Sequence, residues 1–303
     1  MGFIQIWGNN SMEFVRQKFF WILISLISLL VWIIRWIPES FIRFYNIVFI
    51  SWDYYPRVLV RGSMYTLAAV GMVSRLIAVI VAIWGIYRIW KTKNNSFSTK
   101  KILAAAIGLE SIYFASLIPS ILYLFALGST RNSVFYPLFG VGYLLQVILT
   151  FPLLLVLAIK LYKSSSASFK SPKLVAITFV GYIVALWSNS VFHWLGLLAT
   201  QGPSFLFGES SILAWNALIL MSLAVIFSIV AGFYLTKNRE ITKWTGLALT
   251  SVGFHFLFYL IYHLFASSLN SVWLTDIWAV GLLGLGLSII KNKTNLSSVK
   301  IKS

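Results

Sequence analysis

Apolar residues run along this chain in blocks too long for strands or for half-buried helices. Spanning hydrocarbon takes about 20 apolar residues in a helix. Eight stretches meet or approach that length, at 19–37, 64–90, 102–128, 136–159, 174–198, 212–235, 244–266 and 273–290. The pattern therefore predicts an all-α fold, a polytopic transmembrane helical bundle of about eight helices forming one integral membrane domain over 1–303. Arg16 and Lys18 before the first block resemble the start of a signal peptide. No small-residue cleavage site follows, and Trp32, Arg35 and Trp36 stand where one would fall, so a retained helix is expected.

Polar residues between the blocks set the topology. With the first residue inside, inner segments carry Arg16, Lys18, Arg88, Lys91, Lys93, Lys100, Lys101, Lys160, Lys163, Lys170, Lys173, Lys237, Arg239, Lys243, Lys291, Lys293, Lys300 and Lys302. The outer side keeps Arg35, Arg43, Arg57, Arg61 and Arg131 against Glu39, Asp53, Glu209 and Asp276. Positive residues collect in cytoplasmic loops, which predicts both ends inside, a basic cytoplasmic tail over 291–303 and a plasma-membrane location. Trp90, Tyr162, Trp194, Trp244 and Trp273 fit interfacial belts. The segment 38–63 is too charged to span and too apolar to float, and reads as an outer interfacial helix or a partner-docking lid. The sequons at Asn9, Asn94, Asn292 and Asn295 all fall inside, where glycosylation is not expected.

Composition sharpens this reading. Hydrophobic residues are 59% of 303 and charged residues 10%, which no water-soluble core could use. The net charge of +17 is scattered through short loops and forms no basic domain, so lipid headgroups rather than nucleic acid are its expected partners. Cysteine is absent, which removes disulfides, iron–sulfur ligation and thiolate chemistry.

A faint repeat runs through the blocks. VAITFVGY at 175–182 and LALTSVGF at 247–254 both open helices after basic loops, with AAAIGLE at 104–110 as a looser copy. Gly108, Gly181 and Gly253 are spaced by 73 and 72 residues, and Arg75, Gln146 and Asn216 by 71 and 70. A hairpin duplicated at this period would keep one orientation, although regular hairpins drawn from a small apolar alphabet give similar spacing.

Candidate chemistry is sparse. Arg75 and Glu110 are the charged residues inside spans, and a charge at mid-bilayer is costly unless paired or hydrated. They read either as an ion pair tying the second and third helices or as a proton or quinone-headgroup site. His193 and His263 each lie 19 residues into an outward-running block, which predicts a common level where two imidazoles could clamp one haem b. His255 sits about 12 Å deeper and could serve a second site. The bland alternative is hydrogen bonding between helices. Gly281, Gly284 and Gly286 suggest close helix packing, Pro119 and Pro152 suggest kinks, and Trp187, Ser188, Asn189 and Ser190 suggest a cavity lining or interhelical bonding. A soluble-type catalytic constellation or metal-spaced cluster is not evident, and catalysis by the chain alone is not expected.

In size, helix number, lysine-rich inner loops and lack of cysteine, the whole chain resembles the hydrophobic B subunit that accompanies a glycosylated archaeal membrane cytochrome b. That resemblance implies a hydrophobic subunit of a respiratory, electron-transferring complex, docking a redox protein at the outer face. It implies too that haem sits in the larger partner, leaving His193 and His263 structural. The alternative is a transporter of a small or apolar solute, its path lined by Arg75, Glu110, Gln146, Asn189 and Asn216.

Overall fold

The computed structural model describes residues 17–45, 55–91, 97–131, 134–164, 171–202, 211–238, 241–266 and 273–291. Among them the regular structure is entirely helical: α1 (Phe19–Tyr45), α2 (Tyr55–Lys91), α3 (Phe97–Ala115), α4 (Ile118–Arg131), α5 (Phe135–Lys163), α6 (Pro172–Gln201), α7 (Ser211–Asn238), α8 (Lys243–Ala266) and α9 (Trp273–Lys291). The eight expected blocks reappear, with α3 and α4 as two halves of the third. Among the described residues, five stretches are long and apolar enough to cross a membrane: Ala69–Lys91, Thr99–Phe125, Phe135–Lys163, Pro172–Gln201 and Ser211–Lys237.

Which residues face outward identifies the solvent. On α7 the exposed stripe is Ile212, Trp215, Ile219, Leu223, Ile226, Ile229 and Phe233. The opposite stripe, Ala214, Ala217, Met221, Ala224, Ser228 and Ala231, is buried. Both stripes advance by three and four residues, the spacing of one helix face. Large apolar side chains point out and small ones point in, the reverse of a water-soluble helix. That arrangement suits hydrocarbon outside and close backbone approach inside.

Apart from α3 and α4, each helix packs against its sequence neighbours, α3 packs on α5 past the short α4, and α9 returns to pack against α1. The bundle is thus a closed ring. Neighbours are antiparallel, as the pairings show. Gly142 approaches Ser188 and Gly196 approaches Phe135 between α5 and α6. Gly246 approaches Gly286 and Gly253 approaches Ala279 between α8 and α9. At the seam between α9 and α1, Gly281 meets Ser25 and Gly284 meets Trp21. Gly284 has no room for a side chain there, because the Trp21 indole occupies the place its Cβ would take. Lys18 Nζ completes the seam by donating to Ser288 O at 2.9 Å, near the carbonyl end of α9 where a cation is favoured. Burial lowers the Lys18 pKa from the ordinary lysine value.

Antiparallel neighbours bring the start of α1 and the end of α9 to the same end of the ring. Every described lysine lies in helix turns at that end: Lys18, Lys91, Lys100, Lys101, Lys160, Lys163, Lys173, Lys237, Lys243 and Lys291.

Two details differ from the sequence reading. Helix α1 continues past Pro38 to Tyr45 and α2 begins at Tyr55, so helix enters the 38–63 segment from both sides. Residues 46–54, and the side chains of Glu39, Arg43, Arg57 and Arg61, lie outside the described residues, as does the 292–303 part of the basic tail. Pro119 produces a break rather than a bend. Its missing N–H and its ring oppose the carbonyl four residues back, and Ser116 and Leu117 form a turn closed by Leu117 N–H to Phe114 O at 3.2 Å. Pro152 lies inside the continuous helix α5.

Candidate functional site

The charged pair meets. Arg75 Nη2 lies 3.0 Å from Glu110 Oε1, joining α2 to α3 with side chains only 11% and 18% exposed. The register beside it is fixed by Ser74 Oγ donating to Leu109 O at 2.7 Å. Helix α3 begins at Phe97, about a turn before the expected start at 102. The Arg75 guanidinium carbon also stacks 4.2 Å from the centre of the Tyr113 ring, one turn beyond Glu110. Tyr182 of α6 reaches Arg75 from a different part of the ring and hydrogen-bonds to it, and its ring packs edge-on against Phe114 at 6.1 Å. The pair is therefore enclosed by α2, α3 and α6.

A second polar group follows along α6 toward the end away from the lysines. Ser188 Oγ donates to Gly142 O of α5 at 3.2 Å, Trp187 Nε1 donates to Ser222 Oγ of α7 at 3.1 Å, and Ser190 Oγ lies 3.5 Å from His255 Nε2 of α8. Asn216 Nδ2 of α7 donates to the His255 carbonyl at 3.2 Å. Of the two readings of the Trp187 to Ser190 run, the interhelical bonding is present. Gln146, Asn216 and Thr250 are buried. Gln146 Oε1, Asn189 Oδ1, Asn216 Oδ1 and Thr250 Oγ1 are buried atoms with no hydrogen-bond partner. By antiparallel counting from these bonds, the four atoms fall within about 14 Å along the bundle axis. Arg75, Gln146 and Asn216, which the 72-residue spacing relates, are all buried at 8–9% exposure.

The histidines are arranged differently from the expectation. Six residues on from the Trp187 to Ser222 bond, residue 193 stands opposite Asn216, and Asn216 bonds to His255. His193 is thus level with His255. His263 is eight residues further along α8, about 12 Å away in height. Counting into each block failed because α8 does not start level with its neighbour. Trp244 packs against Phe227 at 5.9 Å, some ten residues short of the α7 end at Asn238. The His263 side chain lies outside the described residues. His193 packs edge-on against Phe139 at 5.0 Å and Phe135 at 5.8 Å, both on α5, and its Nδ1 is buried without a partner. His255 turns toward Ser190 and edges against Phe256 at 4.9 Å. The two imidazoles share a height while packing against different helices.

Among the described residues no group of three or more His, Asp or Glu is placed to hold a metal ion. Sequence reasoning missed Tyr113, Tyr182 and Thr250. Tyr113 was accessible, being one helical turn from Glu110. Tyr182 and Thr250 carried no signal, because hydroxyls inside spans are common; Tyr182 turns to the ion pair, and the Thr250 hydroxyl lies against Gly286 of α9.

Fold and interior define the class: an all-helical protein of long apolar helices, of the kind that crosses membranes several times, with an ion pair and amides buried inside its ring. The chain matches no protein-family model, no curated protein and no solved structure.

Proposed function

We propose that this protein is a multi-pass carrier of a small solute, which passes through the interior of the helix ring with the lysine-bearing end in the cytoplasm and the plasma membrane as its location. One observation carries the reading: Gln146, Asn189 and Asn216, on three successive helices, hold buried amide oxygens without protein partners. A buried acceptor left unbonded costs about 1–3 kcal/mol. Three on neighbouring helices suit a passage in which a solute supplies the missing bonds, and the apolar outer faces suit lipid. Arg75 and Glu110 neutralise one another beside this layer and hold α2 to α3. Purified protein reconstituted into liposomes should raise the uptake of some small solute above that of empty liposomes. Equal uptake across a panel of sugars, polyols, amides and ions would refute the proposal.

A second reading is the hydrophobic subunit of a redox complex, with haem b or a quinone held by this chain or by a partner. It is supported by the buried Nδ1 of His193, which faces two phenylalanine rings without a partner. A haem b band in the reduced-minus-oxidised spectrum that disappears in His193→Ala would establish it. A spectrum without the band would remove haem from this chain.

A further inference from the structure

The lysine-bearing end turns large rings and cations toward the lipid. Trp84 of α2 and Tyr162 of α5 are 52% and 57% exposed there. Each carries a cation. The Arg88 guanidinium carbon lies 5.3 Å from the centre of the Trp84 ring, one turn along the same helix. Lys101 Nζ lies 5.2 Å from the centre of the Tyr162 ring, and this contact joins α3 to α5. Two other cation–ring contacts at this end, Lys237 over Phe233 and Lys243 over Trp244, stay within one helix.

Helix α3 packs against both α2 and α5, so the two pairs flank its outer face. They are also level. A Cβ on Gly85 would touch Ile102 and Leu103, which places Arg88 less than one turn from Lys101 in height. One turn further into the span the outer face of α3 is low, because the exposed Ala105 lies between the larger exposed side chains of Ile80 on α2 and Ile159 on α5. A shallow apolar channel thus runs toward mid-bilayer from a pair of cations. Charge selects its occupant. Lys91, Lys100 and Lys163 stand in adjoining turns, and among the described residues no carboxylate lies at this end. A phosphate at headgroup depth would meet Arg88 and Lys101, its glycerol would lie on the two rings, which suit that level, and an acyl chain would fill the channel. A zwitterionic lipid brings its own ammonium into the same positive field and loses part of the attraction.

We infer that Arg88, Lys101, Trp84 and Tyr162 form a binding site for an anionic phospholipid on the outer face of α3. The site is independent of the carrier and redox readings, because it faces the bilayer rather than the ring interior.

The test is native mass spectrometry of the delipidated protein in one detergent, titrated with dioleoylphosphatidylglycerol or dioleoylphosphatidylcholine. The first phosphatidylglycerol should bind about tenfold more tightly than the first phosphatidylcholine. Arg88→Gln and Lys101→Gln should each weaken that binding about fivefold, the contribution of one cation near an anionic headgroup. Tyr162→Leu keeps every charge and should weaken it about threefold by releasing Lys101 from its ring, which provides an independent readout should a charge variant fail to fold. The double variant Lys237→Gln, Lys243→Gln loses as much charge as Arg88→Gln, Lys101→Gln and should leave the first binding unchanged. Equal weakening by the two double variants would reveal diffuse attraction and overturn the site. Equal affinity for the two lipids would overturn it as well. Displacement of phosphatidylglycerol by excess inorganic phosphate would show an anion pocket in place of a lipid site, and would also overturn the inference.

Discussion

Removing one member of the Arg75–Glu110 pair should damage the protein more than removing both. The two atoms are 3.0 Å apart and little exposed. For charge centres about 4 Å apart at an effective dielectric of about 20, the attraction is about 4 kcal/mol. Glu110→Ala forfeits that attraction and leaves a guanidinium buried with Tyr113 and Tyr182 for company, so a loss of about 3–5 kcal/mol is expected, typical of a broken buried pair. At roughly 2 °C per kcal/mol for a chain of this size, the midpoint of thermal unfolding should fall by about 6–10 °C. The double variant Arg75→Met, Glu110→Leu keeps the volume and removes both charges, and should recover at least half of the loss, because neither residue then has a charge to desolvate. The assay is thermal unfolding in one detergent, followed by intrinsic tryptophan fluorescence for wild type, both single variants and the double. If the double variant lost as much as the sum of the singles, the two residues would be acting independently and the ion-pair argument would be refuted.

Gly284→Leu should disrupt the seam between α9 and α1, since the Trp21 indole already occupies that position; a loss of roughly 1–3 kcal/mol from overpacking is expected in the same unfolding assay, and an unchanged midpoint would show the seam to be loose. Lys18→Met should cost only about 1 kcal/mol, because it removes one bond to the Ser288 carbonyl while keeping the aliphatic stem; a loss as large as that of Glu110→Ala would contradict this. Topology is directly measurable because the chain has no cysteine to mask the result. Single cysteines at Lys91, Lys163 and Lys291 should react with an impermeant thiol reagent from one side of sealed vesicles, and one at Gln201 from the other; labelling of Lys163→Cys and Gln201→Cys from the same side would break the alternation of the helices.

The helices were legible because hydrocarbon demands long uninterrupted apolar runs, and the Arg75–Glu110 contact because buried charges seek each other. What escaped was relative height. Each block seemed to begin at a common plane, and His193 was paired with His263 on that basis. The long C-terminal end of α7 beyond the start of α8 shifts the frame by some ten residues and brings His255 to that level instead. Such a stagger depends on how side chains such as Phe227 and Trp244 interlock, and periodicity does not encode it. The break before Pro119 was placed correctly and its form was not, since whether a proline bends or interrupts a helix depends on how neighbours such as Gly71 and Ser116 fit together.

Closure of the ring through α1 and α9 bears on how the protein is made. A chain threaded into lipid from its first helix can dock each new hairpin onto the one before it, and these contacts are all local in sequence. The first helix is the exception: one flank, with Trp21 and Ser25, waits for a partner more than 250 residues downstream. Until that last helix is inserted, the nascent protein is an open chain of helices with an unsealed edge, vulnerable to zipping onto another copy. Biogenesis therefore ends with a long-range docking event, and truncations that remove α9 should behave as sticky, oligomerising fragments even when the other helices are correctly inserted.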